Sequence, residues 1–390
     1  MKNFEYYTPT KVAFGRGEAD RVGALLAEQG CHKVLIHYGG ESARRSGLLD
    51  RIEASVKAAG IPFVSLGGVV PNPRIAKARE GIDLARREGV DFILAVGGGS
   101  VIDSAKAIGY GIPYDGDVWD IYAGRHVPVQ MCPVGAVLTL SAAGSEMSNS
   151  SVLTNEELGL KWGCNYDICR CRFAVMDPEL TYTLPPYQTA CGVVDILMHT
   201  MERYFTREPD TALTDRLAEG LMRTVLDCGR TALAQPEDYN ARAQIMWAGS
   251  LSHNGLTGCG TVGDWASHKL EHELSAMFDV AHGAGLAAIW GSWARYVYRE
   301  APERFAQFAV NVMGCAPGAP EQTALAGIEA LENYFRAIGM PVSLQALGCT
   351  IGEAEIAILA DKASRQGTLT LGNFKVLRQA DMAEIYRMAN

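Results

Sequence analysis

Three short apolar runs, KVLIHY (33–38), IPFVSL (61–66) and DFILAV (91–96), alternate with stretches of helical periodicity, LLDRIEASVKAAG, RIAKAREGIDLARREG and GGGSVIDSAKAIGYG. A strand without polar alternation is buried on both faces, and strands separated by helices pair in parallel beneath those helices. VQMCPVGAVLTL and RFAVMD extend the β-rich character. At Pro185–Pro186 the texture changes, and long helical patterns take over: YQTACGVVDILMHTMERYF, ALTDRLAEGLMRTVLDCGRTAL, ARAQIMWAGSLSHNGL and TALAGIEALENYFRAIG. The expectation is an α/β domain over residues 1–184 and an all-α domain over residues 185–390.

Charge and cysteine content exclude several classes of function. The formal net charge is −9 and the basic clusters are mere pairs, Arg44–Arg45 and Arg86–Arg87, so nucleic acid is not an expected partner. The opening MKNFEYYTPT lacks the apolar core of a signal peptide, and no run is long and apolar enough to span a bilayer. The ten cysteines are scattered, with only Cys169 and Cys171 close together, which fits reduced thiols filling core space rather than a disulfide framework or a zinc ribbon. A cytoplasmic chain with no membrane partner is expected.

Two glycine turns point to a dinucleotide. In AVGGGSVIDSAKAI a strand, three glycines, a small hydroxyl residue and a helix follow one another. Glycines let backbone N–H groups approach phosphate oxygens, and a helix N-terminus adds positive potential. Ser100 is read as capping that helix or binding phosphate, the alternative for the whole turn being a tight connection with no ligand. The earlier HYGGESARRSG also follows a strand, with Gly39 and Gly40 in the turn and Arg44 and Arg45 just beyond. An acidic residue at such a turn binds the free ribose, whereas these arginines favour a 2′-phosphate and hence NADP(H); Glu41 speaks for the opposite choice if it turns inward.

The helical half carries a candidate metal set. Asp195 and His199 are four apart and share a helix face, as do His268 and His272, and His282 follows beside a glycine. A carboxylate with imidazoles suits a borderline divalent ion, Fe²⁺ or Zn²⁺. Spacing alone does not choose among these five residues.

VMDPELTYTLPPYQTACGVVDILMHTME (175–202) resembles a signature of the iron-containing alcohol dehydrogenase family, with Asp177, Pro185, Gly192, Asp195 and Glu202 at its spacing. HKLEHELSAMFDVAHGAG is similar to the family's second signature, and PNP (71–73), GGGSVID, TLSAAGSEMS and DPELTYTLP match further blocks, so the likeness runs over nearly the whole chain. The YGGxS turn resembles the NADPH-dependent butanol dehydrogenase branch of the family. The resemblance implies a dehydroquinate synthase-like architecture, an α/β NADP-binding domain followed by an all-α metal-binding, catalytic domain, and a homodimer. It implies Asp195, His199, His268 and His282 as ligands of one divalent ion, with His272 beside the ion as the residue that relays a proton. A catalytic ion keeps one position open for substrate, which agrees with four protein ligands rather than five. Family cofactor contacts fall on Gly39, Gly40, Ser42, Asn72, Gly98, Gly99, Ser100, Asp103, Thr139, Ser148 and Lys161. Two departures are Ser141 and Ala143, where relatives often have Pro and Thr, and Glu41 in place of a common glycine.

The implied reaction is hydride transfer between NADP(H) and a primary alcohol or aldehyde of butanol type, with aldehyde reduction the cellular direction. A glycerol dehydrogenase-like polyol oxidoreductase and a dehydroquinate synthase-like lyase stand as alternatives; the lyase needs a basic pocket, and only Lys269 lies near the ligand positions. A non-catalytic nucleotide and metal sensor is the third. Among the remaining candidates, His253 reads as a hydrogen-bonded helix residue, and His32, His37 and His126 read as structural or surface groups. Trp265 and Phe278 are pocket or core residues, and Cys259 is not expected to be a nucleophile.

Overall fold

The computed structural model describes residues 1–390 and divides into two compact units, one of Tyr7–Leu184 and one of Met1–Tyr6 with Pro185–Asn390. In the first unit the strands are β1 Lys11–Phe14, β2 Val34–Tyr38, β3 Phe63–Leu66, β4 Phe92–Gly97, β5 Val134–Leu138, β6 Ser150–Asn155, β7 Leu160–Asn165 and β8 Phe173–Met176. Its helices are α1 Val22–Glu28, α2 Ser42–Arg45, α3 Leu48–Ala58, α4 Ile75–Glu88, α5 Gly99–Gly111 and α6 Trp119–Tyr122.

Six strands form a parallel sheet in the order β1-β8-β5-β4-β2-β3. Every residue of β2, β4, β5 and β8 is buried, as apolar runs without alternation require. The chain runs outward from β2 to β3, returns over β2 to β4, and continues outward on the other side through β5. Strand order therefore reverses between β2 and β4, and open α/β sheets bind ligands at the carboxyl ends of the strands at such a switch point. Gly39–Gly40 and Gly98–Gly99 follow those two strand ends.

An antiparallel hairpin, β6 with β7, has no counterpart in the sequence expectations. It is fastened to α5 by buried polar contacts. Asp103 Oδ2 accepts from Val152 N at 3.0 Å, and its backbone oxygen accepts from Ser151 Oγ at 3.1 Å. Lys106, fully buried, donates to the carbonyls of Ser145 (2.8 Å), Ser148 (3.0 Å) and Ser150 (2.7 Å) and to Ser145 Oγ (3.2 Å).

The second unit is helical: α7 Pro186–Tyr204, α8 Ala212–Ala234, α9 Tyr239–His253, α10 Ala266–Phe278, α11 His282–Val297, α12 Pro302–Asn311, α13 Pro320–Ala337, α14 Leu344–Leu347, α15 Glu353–Ala363 and α16 Gln379–Ala389. Pro186 occupies the first position of α7, where its missing N–H costs nothing and its fixed φ favours the helix. From Gly192 to Glu202, α7 is buried on all sides, and so is α11 from Gly283 to Ala294. Helices buried all round sit at the centre of a bundle. The core around them includes Trp290, Trp293, Phe305 and Phe308, with Phe205 stacked on Phe305 at 4.3 Å. Each large side chain so buried contributes about 2–3 kcal/mol, which offsets the cost of the polar groups these helices carry inward.

Candidate metal centre

Central helices place Asp195 and His199 where water cannot solvate them, so both need partners inside the protein. The partners arrive from α10 and from the first turn of α11. Asp195 Oδ1 lies 3.2 Å from His199 Nδ1, 3.9 Å from His268 Nε2 and 3.8 Å from His282 Nε2. Asp195, His268 and His282 each offer a donor atom within 4.8 Å of the others, and His199 stands at their edge, its ring centroid 4.6 Å from that of His268. Donors around a tetrahedral ion with ~2.1 Å bonds stand about 3.4 Å apart, which these separations bracket. Asp195 Oδ1, His199 Nδ1 and His268 Nε2 are buried polar atoms without a hydrogen-bond partner in the protein. A carboxylate with imidazoles is the donor set of a borderline divalent ion, so the residues present fit such a group.

Electrostatics express the same convergence. Burial opposes the ionisation of Asp195, yet His199, His268 and His282 hold its carboxyl well below the usual range. Burial drives His199 far down, against the pull of Asp195. Burial also opposes the charged form of His268, but Asp195 and Glu202 push it up to about 9.

Two carboxylates brace the imidazoles. His268 Nδ1 donates to Glu202 Oε1 at 2.8 Å, and His282 Nδ1 donates to Glu271 Oε2. Ser275 Oγ donates to the other oxygen of the fully buried Glu271. Each contact leaves the ring's Nε2 as the free donor, the usual arrangement around a metal-binding histidine. Neither brace was among the expected site residues, although the spacing carried a signal. Asp195, His199 and Glu202 lie at i, i+4 and i+7 on one stripe, and Glu271 and Ser275 follow His268 at i+3 and i+7.

His272 is buried, its ring centroid 5.6 Å from that of His282, and Glu271, His272 and His282 form a second convergent set. Because Glu271 is engaged by His282 and Ser275, the set does not stand apart from the first. His253 ends α9 with its ring edge-on to His199 at 4.1 Å and its Nδ1 3.4 Å from Arg203 Nη2, so it belongs to the surroundings of the cluster. Trp265 packs at 5.4 Å from His268 and lies under the Arg203 guanidinium at 4.6 Å, whereas Phe278 packs against the helical core. Cys259 is half-buried and burial pushes its thiol up, away from nucleophilic character. His32 pairs with Asp91 at 2.8 Å, His126 stacks on Tyr114 at 4.1 Å, and His37 is buried between Leu66 and Ser104.

In the first unit the glycine turn after β4 is shaped by close approach. A Cβ at Gly97 would stand 2.4 Å from Val101, one at Gly98 3.1 Å from Leu140, and one at Gly99 3.1 Å from Ala143. Ser100 does not cap α5: Gly98 is the N-cap and Ser100 sits within the first turn, its hydroxyl not bonded to the helix end. The backbone of the turn and the helix N-terminus have the geometry that suits an anion. Asp103 stands on α5, where its two carboxylate oxygens accept from Ser145 Oγ and Val152 N and burial raises its pKa. Ser148 also turns inward, accepting from Ser150 N at 3.2 Å. Asn72, in a left-handed conformation at φ 53°, and Lys161 on β7 are both buried. Thr139 follows β5, and its N–H donates to Gly97 O at 3.1 Å, beside the glycine turn. Gly39 and Gly40 lie between β2 and α2 and Ser42 is the first residue of α2, whose Arg44 guanidinium stands 5.4 Å over the Tyr38 ring and donates to its hydroxyl.

Comparison with known proteins matches residues 9–178 to the iron-containing alcohol dehydrogenase family and residues 189–390 to the C-terminal part of the Fe-containing alcohol dehydrogenase family. The chain is 39% identical over 389 residues to NADH-dependent butanol dehydrogenase A of Clostridium acetobutylicum, covering 99% of each. It is 37% identical over 378 residues to the NADPH-dependent aldehyde reductase YqhD of Escherichia coli, covering 95% of each. The crystal structure of an NADH-dependent butanol dehydrogenase A from Thermotoga maritima superposes with a TM-score of 0.96 at 38% identity, over 100% of this chain and 99% of that one. These relatives favour neither the lyase nor the polyol alternative. With both halves matched, the chain belongs to the iron-containing alcohol dehydrogenase family and is a metal- and nicotinamide-dependent oxidoreductase of alcohols and aldehydes.

Proposed function

We propose that this chain reduces short primary aldehydes to alcohols, butanal among them, using NADP(H) and one divalent ion, Fe²⁺ or Zn²⁺. The observation that carries the reading is the convergence of Asp195, His268 and His282 within 4.8 Å, with His199 at 3.2 Å from the same carboxylate oxygen. When bound, the ion supplies Lewis acidity toward the substrate oxygen and the nicotinamide supplies the hydride.

Asp195, His199, His268 and His282 would hold the ion, with Glu202 and Glu271 orienting two of the rings. Burial of Asp195, His199, His268, Glu202 and Glu271 keeps competing water away from their atoms, while the His282 side chain is a quarter exposed. His272, next to His282, is the candidate to carry the proton that the product oxygen needs in reduction and to take it back in oxidation, a task suited to an imidazole. Gly39, Gly40, Ser42, Asn72, Gly98, Gly99, Ser100, Asp103, Thr139, Ser148 and Lys161 are the proposed dinucleotide contacts, with Asp103 and Ser148 also holding the surrounding segment in shape. Support for NADP(H) over NAD(H) comes from Arg44, held against Tyr38 at the end of β2, and from the NADPH-dependent aldehyde reductase among the relatives. The NADH-dependent butanol dehydrogenases favour the opposite choice. A cytoplasmic homodimer completes the reading; ten free cysteines fit a reducing compartment. No helix is long and apolar enough to cross a membrane.

The test is coenzyme consumption with butanal by metal-analysed protein, run with NADPH and NADH, after chelation, and after restoring Fe²⁺ or Zn²⁺. Turnover that favours NADPH and returns only with metal is the expected result. No turnover with any short aldehyde by metal-loaded protein would sink the reading.

A further inference from the structure

Helix α10 begins without a capping side chain at its N-cap position. Its N-cap position is Trp265, whose side chain makes no capping bond and whose backbone sits at φ 66°, the left-handed region that costs a bulky residue strain. Two N–H groups at this end of the helix are taken up by a residue from another helix. Glu202, near the end of α7, accepts from Trp265 N at 2.6 Å through Oε2 and from His268 N at 3.0 Å through Oε1. The same Oε1 accepts from His268 Nδ1 at 2.8 Å. One buried carboxylate therefore caps the helix in trans, puts negative charge at its positive end, and fixes the tautomer of the imidazole one turn inside. Asp264, four residues before His268, is also buried but serves differently. It accepts from the backbone N–H groups of Ala266 (3.0 Å), Asn373 (2.9 Å) and Phe374 (2.8 Å) and makes no bond to an imidazole.

We infer that Glu202 is a positioning residue for the metal centre: by holding both the first turn of α10 and His268 Nδ1, it keeps His268 Nε2 turned toward Asp195. The inference rests on the metal reading above. α7 carries Asp195 and His199 and α10 carries His268, so Glu202 also couples the two helices on which three of the four proposed ligands stand. An amide at this position offers one acceptor oxygen where the carboxylate offers two. It either faces an N–H with its own NH₂ or donates to Nδ1 and forces the proton onto Nε2, and in both cases the negative charge that strengthens the imidazole as a donor is lost.

The experiment is Co²⁺ titration of metal-stripped full-length protein, followed by visible ligand-field absorption, with thermal unfolding of each metal-free variant alongside. Glu202→Gln is expected to weaken Co²⁺ binding about 10–100-fold and to change the ligand-field spectrum. Asp264→Asn, in the same turn but off the imidazole, is expected to lower thermal stability while binding Co²⁺ within about threefold of the parent. Glu202→Asp, which keeps the charge but withdraws it by one carbon, is expected to fall between parent and Gln variant, and it decides the matter if Glu202→Gln does not fold. Binding by the Glu202 variants within about threefold of the parent, with an unchanged spectrum, overturns the inference. So does an equal loss of affinity in Asp264→Asn, which would mean that the turn's stability alone is at work. Failure of the parent to bind Co²⁺ would instead bring down the metal reading itself.

Discussion

Gly283 lies against the backbone of Cys191: a Cβ at position 283 would stand 2.2 Å from the Cys191 carbonyl oxygen and 2.7 Å from its carbonyl carbon. Cys191 sits one helical turn before Asp195 on α7, and His282 is the first residue of α11, so this contact sets how closely the two helices bring Asp195 to His282. The obstacle is main chain, which cannot rotate aside as a long side chain can. Gly283→Ala is therefore expected to push the α11 N-terminus off α7, destabilise the protein by about 1–3 kcal/mol, and lower metal occupancy at least several-fold. Metal analysis of the dialysed variant, together with its unfolding midpoint, checks both effects. Full occupancy with parental stability would mean that the two helices part without consequence for the ligands.

Lys106 is the second test. Its ammonium is the common donor to three carbonyls and a hydroxyl between Ser145 and Ser150, and a buried acceptor left unpaired carries its full desolvation cost. Lys106→Met keeps the bulk and removes the donor. A loss of about 3–5 kcal/mol is expected in urea unfolding, with a rise in KM for the nicotinamide coenzyme, because Ser148 and the segment after Thr139 lose their anchor. A variant of parental stability would refute the role given to the ammonium.

The contrast between Lys106 and the glycine turns shows what the sequence made legible. β2, β4 and the start of α5 were readable because an unbroken apolar run ending in glycines has few alternative folds. The two four-residue pairs of the metal cluster were readable because helical period puts them on one face. Lys106 was not, since a lysine among Asp103, Ser104 and Ala105 looks like a solvated charge, and its acceptors lie some forty residues away. Ser100 and Asp103 show the converse. Their place after the glycines was readable, but side-chain direction within a helix depends on neighbours that only the fold brings near: Gly98 rather than Ser100 is the N-cap, and Asp103 binds the β6–β7 hairpin. His199 and His253 illustrate the same limit, for no spacing rule links the end of α9 to the middle of α7.

His37 gives a pH dependence remote from the metal. It is fully buried on β2, bonded through Nδ1 to Leu66 O at 3.0 Å and through Nε2 to Ser104 Oγ at 2.9 Å, and burial lowers its pKa to about 4. The folded protein holds the neutral ring, while the unfolded chain takes up a proton near pH 6.5, the ordinary value for histidine. Stability from this group is therefore complete above about pH 6.5 and falls as the pH drops toward 4, by about 3 kcal/mol across the window. Urea unfolding of parent and His37→Gln at a series of pH values from 7 to ~4 reads the difference. The parent should lose stability more steeply, and parallel curves would remove His37 from the acid response.

Arg44 is the test of the proposed preference for NADP(H). Its guanidinium stands over the Tyr38 ring at 5.4 Å and donates to the Tyr38 hydroxyl, which fixes it at the carboxyl end of β2 beside the Gly39–Gly40 turn. A hydrogen bond between a guanidinium and a phosphate is charge-assisted and contributes about 1.5–3 kcal/mol, a factor of ten or more in affinity. Arg44→Ala is accordingly expected to raise KM for NADPH by at least about tenfold while changing that for NADH by less than about threefold. Paired Michaelis–Menten measurements with butanal held saturating give both values. Equal changes for the two coenzymes would mean that Arg44 supports the turn through Tyr38 alone, and the preference for a phosphorylated ribose would then fall in favour of NADH, as in the butanol dehydrogenases this chain resembles.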